Sequence, residues 1–376
     1  MNCRVCNGNL FATPLLKLEN MPKAAQFLPT KDELATEKGV DLNVMQCSGC
    51  GLVQLDCEPV PYYKEVIRAS GVSQEMREFR LKQFTDFAER FGLKGKTILE
   101  IGCGKGEYLE LMRDMGMDAC GLEESEESFI ICHKDKLLNV KWRYLDNDIT
   151  LKKDSFDAFA ILSFLEHMPD PCSMFQYLLP SLKEDAVGLV EVPNFDMMLR
   201  ERQFSEFIPD HLMYFTKDTL TTTLNINGFD VIECNEIWHG YILSAVVQKR
   251  AALDLSDFNT KRRQMSDSIN KFISKHPVKS VAVWGAGHQS LAMISLSGIG
   301  NRIKYVIDSA PFKQGKYTPA THVEIISPSA IASDKPSAII VMCAGYSDEV
   351  AKTIKQQHPD MPIAILRESK LEIVGE

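Results

Sequence analysis

The chain has 376 residues, 45% of them hydrophobic and 25% charged, which suits two or three packed domains and excludes a mostly disordered or fibrous protein. Its 51 acidic against 42 basic residues leave a formal net charge of -9, so nucleic acid and anionic membranes are not expected partners. No apolar run approaches the roughly 18 residues that span a bilayer, and residues 1–6 lack the apolar core of a secretory signal, so a cytoplasmic location is expected.

In that compartment the eleven cysteines stay reduced, and clustered ones read as metal ligands rather than disulfides. Two pairs stand at the front, Cys3-x-x-Cys6 and Cys47-x-x-Cys50. Each C-x-x-C turn aims two sulfurs at one point, and two such turns complete a tetrahedral S₄ set that suits Zn²⁺. Such a set leaves no open position, so the zinc is expected to be structural and to hold together a small module spanning 1–72.

A second domain is expected over 73–250. Apolar residues recur at helical spacing from Gln74 to Phe91, and Gly92 and Gly95 stop that helix. A strand over 96–101 then runs into Gly102-Cys103-Gly104-Lys105-Gly106, followed by Tyr108, Leu109, Leu111 and Met112 at helical spacing. Strand, glycine loop and helix in this order let the backbone approach a ligand closely, with free N–H donors at the helix start. Glu100 at the strand end argues against a pyrophosphate and for a ligand carrying a cationic group. A short strand over 119–122 ends in Glu123, a carboxylate suited to both hydroxyls of a ribose. Another strand, Phe156–Leu162, leads to Ser163-Phe164-Leu165-Glu166-His167. The set Glu100, Gly102, Gly104, Glu123 and Ser163 resembles the cofactor site of class I methyltransferases and points to S-adenosylmethionine.

Two of the eight histidines stand out by placement. His167 lies just past the C-terminal end of a parallel strand, where α/β sheets collect ligands. His211 follows Asp210 inside an otherwise apolar stretch, 207–215. An imidazole titrates near neutrality and can take a proton from a hydroxyl or an activated carbon. Asp210 or Glu166 can orient it. The alternative for His211 is a turn-capping role beside a helix over 216–224.

The polar segment 250–275 reads as a solvated connecting helix. A strand over 278–284 precedes Gly285-Ala286-Gly287-His288-Gln289-Ser290, and a second strand over 303–307 ends in Asp308. With strands at 338–343 and Ile363–Leu366 this predicts a small parallel sheet, a Rossmann-like domain over 251–376. Ser290 stands where a dinucleotide fingerprint has its third glycine, which makes that site weak. The fold class is α/β throughout: a small zinc-binding N-terminal module, a central Rossmann-like class I methyltransferase domain and a second Rossmann-like domain.

Several strings together resemble the bacterial C-methyltransferases that act on nucleotide-activated deoxysugars. They are Cys50-Gly51-Leu52-Val53-Gln54-Leu55, Leu165-Glu166-His167 with Pro169-Asp170-Pro171, Val192-Pro193-Asn194, and Lys313 to Pro319 after Ile307-Asp308. The resemblance covers nearly the whole chain. It implies a nucleotide-linked ketosugar as substrate, a base that removes the proton beside the ketone, and attack of the enolate on the methyl donor. By the same resemblance His167 matches the histidine of a Leu-Glu-His motif, and Asp210-His211 match the Glu-His of a Tyr-x-Glu-His motif. The chain departs from that pattern at Ile208, Asp210, Ser163 and around Arg68. These changes keep open methylation of oxygen or nitrogen on a sugar or another activated small molecule. A non-catalytic binding protein is the third reading, opposed by the intact cofactor set.

Overall fold

In a computed structural model that describes residues 2–26, 28–65, 72–146, 151–368 and 370–375, the chain begins with three short strands, β1 (Leu16–Met21), β2 (Val40–Gln46) and β3 (Val53–Leu55). They pair antiparallel in chain order. Leu42 and Val44, two apart on β2, point to one face and bury against Phe195, Met197, Met198 and Phe207.

The central segment alternates strand and helix: α1 (Gln74–Phe91), β4 (Thr97–Ile101), α2 (Glu107–Asp114), β5 (Asp118–Glu123), α3 (Glu126–Ile130), β6 (Asn139–Trp142) and β7 (Phe156–Leu162). It continues with α4 (Pro171–Leu178), β8 (Leu182–Pro193), α5 (Phe195–Glu201), β9 (Met213–Tyr214), α6 (Lys217–Ile226), β10 (Phe229–Ile237) and β11 (Ile242–Lys249). Local chemistry sets the helix ends. Ser73 caps α1 by accepting from the Met76 N–H, and Gly92 closes it at φ 62°.

Seven strands form one sheet in the order β10-β11-β8-β7-β4-β5-β6. From β8 to β6 the pairs are parallel, while β11 runs antiparallel to both β8 and β10. Burial on both faces explains the apolar runs: on β7, Phe159 and Ile161 enter one core, Ala158, Ala160 and Leu162 the other. The order reverses at β4, whose neighbours are β5 and β7, and crevices at such a reversal collect ligands. The strands β8, β10 and β11 lie outside the sequence reading: charged residues such as Glu184, Asp185, Glu233 and Glu236 interrupt the pattern of β8 and β10, while β11 is buried from Ile242 to Val247.

One strand breaks the chain-order logic. β9, from the far side of the methyltransferase segment, pairs antiparallel with β3 and becomes the fourth strand of the N-terminal sheet. Cys3, Val5, Cys47 and Leu52 also share a core with Leu165, Met168 and Leu212. Residues 1–251 accordingly form one compact unit, and 252–376 a second.

The second unit holds α7 (Ser256–Ser274), β12 (Val281–Trp284), α8 (His288–Leu296), β13 (Val306–Ile307), β14 (Ile325–Ile326), β15 (Ala338–Val341), α9 (Ser347–Gln357), β16 (Ile363–Leu366) and β17 (Leu371–Ile373). Its sheet, β14-β13-β12-β15-β16-β17, is parallel except for β17, which turns back antiparallel on β16. The four strands expected from sequence, now β12, β13, β15 and β16, pair parallel, and β14 and β17 extend the sheet at its two edges. Asp308 is held by the N–H groups of Ala286 (2.8 Å) and Ala310 (2.9 Å) and by Lys313 Nζ (2.9 Å). Among the described residues no helix is long and apolar enough to cross a membrane.

Candidate functional site

The four N-terminal cysteines converge. The turn linking β2 to β3 carries Cys47 and Cys50, and an isolated bridge from Leu10 to Cys47 brings the first turn alongside. Cys3 Sγ lies 3.6 Å from Cys50 Sγ, and Cys6 Sγ lies 3.4 Å from Cys47 Sγ. All four sulfurs are within 4.8 Å of one another. Tetrahedral zinc with bonds of about 2.3 Å spaces its sulfurs about 3.8 Å apart, so the donor set fits. Burial works to raise the Cys47 thiol, but N–H groups of Cys50 and Gly49 outweigh it and bring the group down to about 7. Cys3, with burial dominant, is pushed up to about 11. A bound cation supplies what such a thiol lacks to ionise.

The glycine loop expected to meet the cofactor follows β4. Gly102, Gly104 and Gly106 all adopt positive φ (70°, 56° and 73°), a path that only glycine takes without strain. Glu100 and Glu123 are fully buried on neighbouring parallel strands. The Glu123 carboxylate is fixed by Gly104 N–H (2.7 Å) and Ser125 N–H (2.9 Å). Lys105, the basic residue of the loop, points to the exposed Glu127 at 3.1 Å. Two buried carboxylates at the ends of adjacent strands suit a sulfonium, an amine and ribose hydroxyls, not a pyrophosphate.

The third element is the turn after β7. Ser163 takes φ 53°, an uncommon conformation for a residue with a side chain, and its N–H donates to Glu191 O at 2.9 Å. Leu165–His167 then form one 3₁₀ turn. His167 Nδ1 lies 2.6 Å from the Asp210 carbonyl. A carbonyl only accepts, so Nδ1 carries the proton and Nε2 presents its lone pair. The rings of His167 and His211 meet edge to face with centroids 4.8 Å apart. Glu166 Oε1 is 3.9 Å from His167 Nε2, and Glu166 Oε2 has no hydrogen-bond partner among the described residues.

Burial sets the charge states here. It pushes the Glu166 carboxyl up to about 8, and it holds the His167 imidazole below its usual value. Burial, with His167 adding to it, takes His211 down to about 3. At neutral pH the cluster is thus two uncharged imidazoles beside a mostly protonated carboxyl.

Three family models match the chain in order: a zinc binding domain over 3–62, a methyltransferase domain over 74–234 and a C-methyltransferase C-terminal domain over 248–361. The C-methyltransferase NovU of Streptomyces niveus is 23% identical over 94% of this chain and 92% of its own. The chain belongs to the three-module C-methyltransferases. It is an S-adenosylmethionine-dependent methyltransferase with a structural zinc site. A ubiquinone biosynthesis O-methyltransferase of Pseudomonas fluorescens is 32% identical over 93 residues, covering 23% of this chain and 40% of that enzyme. Solved structures resemble the chain over less of it. An S-adenosylmethionine dependent methyltransferase from Mesorhizobium loti is 16% identical, covers 42% of this chain and 92% of its own, and has a TM-score of 0.36. One from Archaeoglobus fulgidus is 21% identical over 46% and 94%, with a TM-score of 0.38.

In this C-methyltransferase the residues singled out by sequence fall into three groups. Cys3, Cys6, Cys47 and Cys50 are together; Glu100, Gly102, Gly104 and Glu123 line the strand ends and loop of β4 and β5; Ser163, His167 and His211 gather past β7. Asp210 is close by, but its carboxylate faces the N-terminal module: Oδ1 accepts from Tyr62 Oη at 2.7 Å and Oδ2 from Ala25 N–H at 2.9 Å. Its backbone carbonyl, not its side chain, orients an imidazole. Capping of α6 belongs to Thr216, while the His211 N–H closes a turn on the Ile208 carbonyl at 3.0 Å. Glu166, one of the two carboxylates that the sequence offered beside the histidines, is the one that joins the two imidazoles. Tyr62 was missed, since nothing in its local sequence signals a partner 148 positions away. The departure at Arg68 lies outside the described residues.

Proposed function

We propose that this enzyme methylates a carbon beside a ketone on a nucleotide-linked sugar, with His211 and His167 as the proton-transfer pair and modules at 1–72, 73–250 and 251–376. The observation that carries the reading is the pair of uncharged, mostly buried imidazoles next to the cofactor loop, in a chain whose C-terminal segment matches a C-methyltransferase domain. When bound, S-adenosylmethionine supplies a methyl group already activated by its sulfonium, so the protein's work is alignment and removal of one proton.

Glu100 and Glu123 hold the cofactor's polar groups, and the glycine loop admits it without side chains in the way. An imidazole lone pair takes the proton from the carbon beside the ketone, leaving the bonding pair on the substrate as an enolate. A carboxyl 3.9 Å from His167 Nε2 puts ion-pair reach beside the imidazolium so formed. A cavity of about 1110 Å³ opens in the N-terminal module with Tyr62 and Pro209 in its wall, adjoining Asp210. Its volume suits a large polar substrate.

A second reading, methylation of a hydroxyl or amine, is favoured by Ile208: its N–H donates to the Tyr214 hydroxyl at 3.1 Å, and no phenol stands at position 208 to face an enolate oxygen. The two readings part in deuterated buffer. Incubation with S-adenosylmethionine and nucleotide sugars, with and without keto groups, is expected to give deuterium exchange and a stable added methyl on ketosugars alone. Methyl transfer to non-keto compounds without exchange would sink carbon methylation.

A further inference from the structure

The zinc turn is wired to the Leu165–His167 turn by a set of partly buried contacts that a merely structural zinc module does not require. Arg4 stands between zinc cysteines Cys3 and Cys6. Its Nη2 donates to the Cys57 carbonyl at 2.7 Å and its Nη1 to the Pro169 carbonyl at 3.3 Å, two residues after His167. Its own N–H donates to Oε1 of the fully buried Gln54 at 2.9 Å. The next residue, Val5, accepts from Cys172 Sγ at 3.0 Å, at the start of α4.

The other side of the turn is held from the same module. Leu212 bridges by backbone alone: its carbonyl accepts from Leu55 N–H of β3 at 3.0 Å, and its N–H donates to the Glu166 carbonyl at 2.8 Å. Tyr62 Oη fixes Asp210, and the Asp210 carbonyl fixes the protonated Nδ1 of His167. Both ends of the 165–169 stretch, and the residue whose carbonyl faces His167 Nδ1, are therefore tied to residues of the zinc module.

We propose that Arg4 and Tyr62 are positioning residues for proton transfer, which hold the tautomer and orientation of His167 from the zinc module. The proposal rests on the reading of His167 and His211 as the proton-transfer pair. Groups that orient a reacting histidine through one intermediate typically change rates by roughly 10–100-fold, without touching substrate.

The test uses the zinc-loaded, full-length protein with ¹⁵N-labelled histidine, comparing wild type, Arg4→Met and Tyr62→Phe. Long-range ¹H–¹⁵N spectra are expected to record His167 as the Nδ1–H tautomer in the wild type and to lose that signature in both variants. Zinc content and S-adenosylmethionine affinity are expected to hold, while kcat on a ketosugar nucleotide falls about 10–100-fold. Should Arg4→Met lose zinc, Tyr62→Phe decides alone, since it removes one hydroxyl and leaves the cysteines untouched. An unchanged Nδ1–H signature with kcat within twofold in Tyr62→Phe would overturn the proposal. If the wild type turns over no ketosugar, carbon methylation fails, and the tautomer spectra still decide the positioning role.

Discussion

Phe164 Cγ and Cδ1 stand 2.7 Å from the point that a β-carbon on Gly102 would occupy. This contact joins two parts of the site: Gly102 begins the cofactor loop, and Phe164 lies three residues before His167. The glycine is needed twice over, for its φ of 70° and for the aromatic ring pressed against it. In Gly102→Ala the ring must move and the backbone is strained by about 1–3 kcal/mol. Calorimetric titration is expected to record S-adenosylmethionine binding weakened by about tenfold or more. Unchanged affinity would take the loop out of the cofactor site.

His211→Gln keeps a planar polar side chain and removes the base. Activity on a ketosugar nucleotide is expected to fall by about 10²–10⁴, with S-adenosylmethionine affinity unaltered. His167→Gln is expected to match it in direction. A His211→Gln enzyme retaining wild-type kcat would move the base elsewhere.

Glu166 gives a stability signature with a defined sign. Burial raises its folded value from 4.5 to about 8, so the folded protein holds this proton more tightly than the unfolded chain does. The contribution is intact below about 4.5 and is lost as pH rises past about 8. Glu166→Gln keeps an uncharged side chain at every pH. It is expected to match the wild type near pH 5 and to exceed it at pH 9 by on the order of 3 kcal/mol in urea unfolding. Parallel pH profiles for the two proteins would contradict a proton held by burial.

Arg80 on α1 and Glu191 on β8 form a buried pair, 2.5 Å apart, with Gln83 bonded to both. Removing one partner leaves a charge in the protein interior. Arg80→Met is expected to destabilise the 1–251 unit by about 3–5 kcal/mol, read as a shift in the denaturant midpoint. The double variant Arg80→Met with Glu191→Leu is expected to recover much of that loss. A destabilisation of the single variant below 1 kcal/mol, on the order of a surface pair, would show that the charges are not desolvated.

Much of the site was open to reading because it is local. Cys3 and Cys6, or Cys47 and Cys50, are brought together by the turn between them, and Gly102 to Gly106 need only their own positive φ to make a loop. The helix from Gln74 to Phe91 carries its start and stop in Ser73 and Gly92. Periodicity likewise marked β7, whose two faces are both apolar. It failed at β8 and β10, where charged residues interrupt the pattern and sheet pairing, not local preference, makes the strand.

Other features exist only because distant segments meet. His167 reaches Asp210 across 43 positions, Arg80 reaches Glu191 across 111, and Tyr62 reaches Asp210 across 148. Sequence spacing therefore determined the two cysteine pairs and the glycine loop, because turns and helices act over a few residues. Tertiary structure alone decided that Asp210 faces Tyr62, that Glu166 is the carboxyl beside the imidazoles, and that β9 completes the N-terminal sheet. Burial and long-range pairing depend on which surfaces the folded chain excludes from water, and no local spacing carries that information.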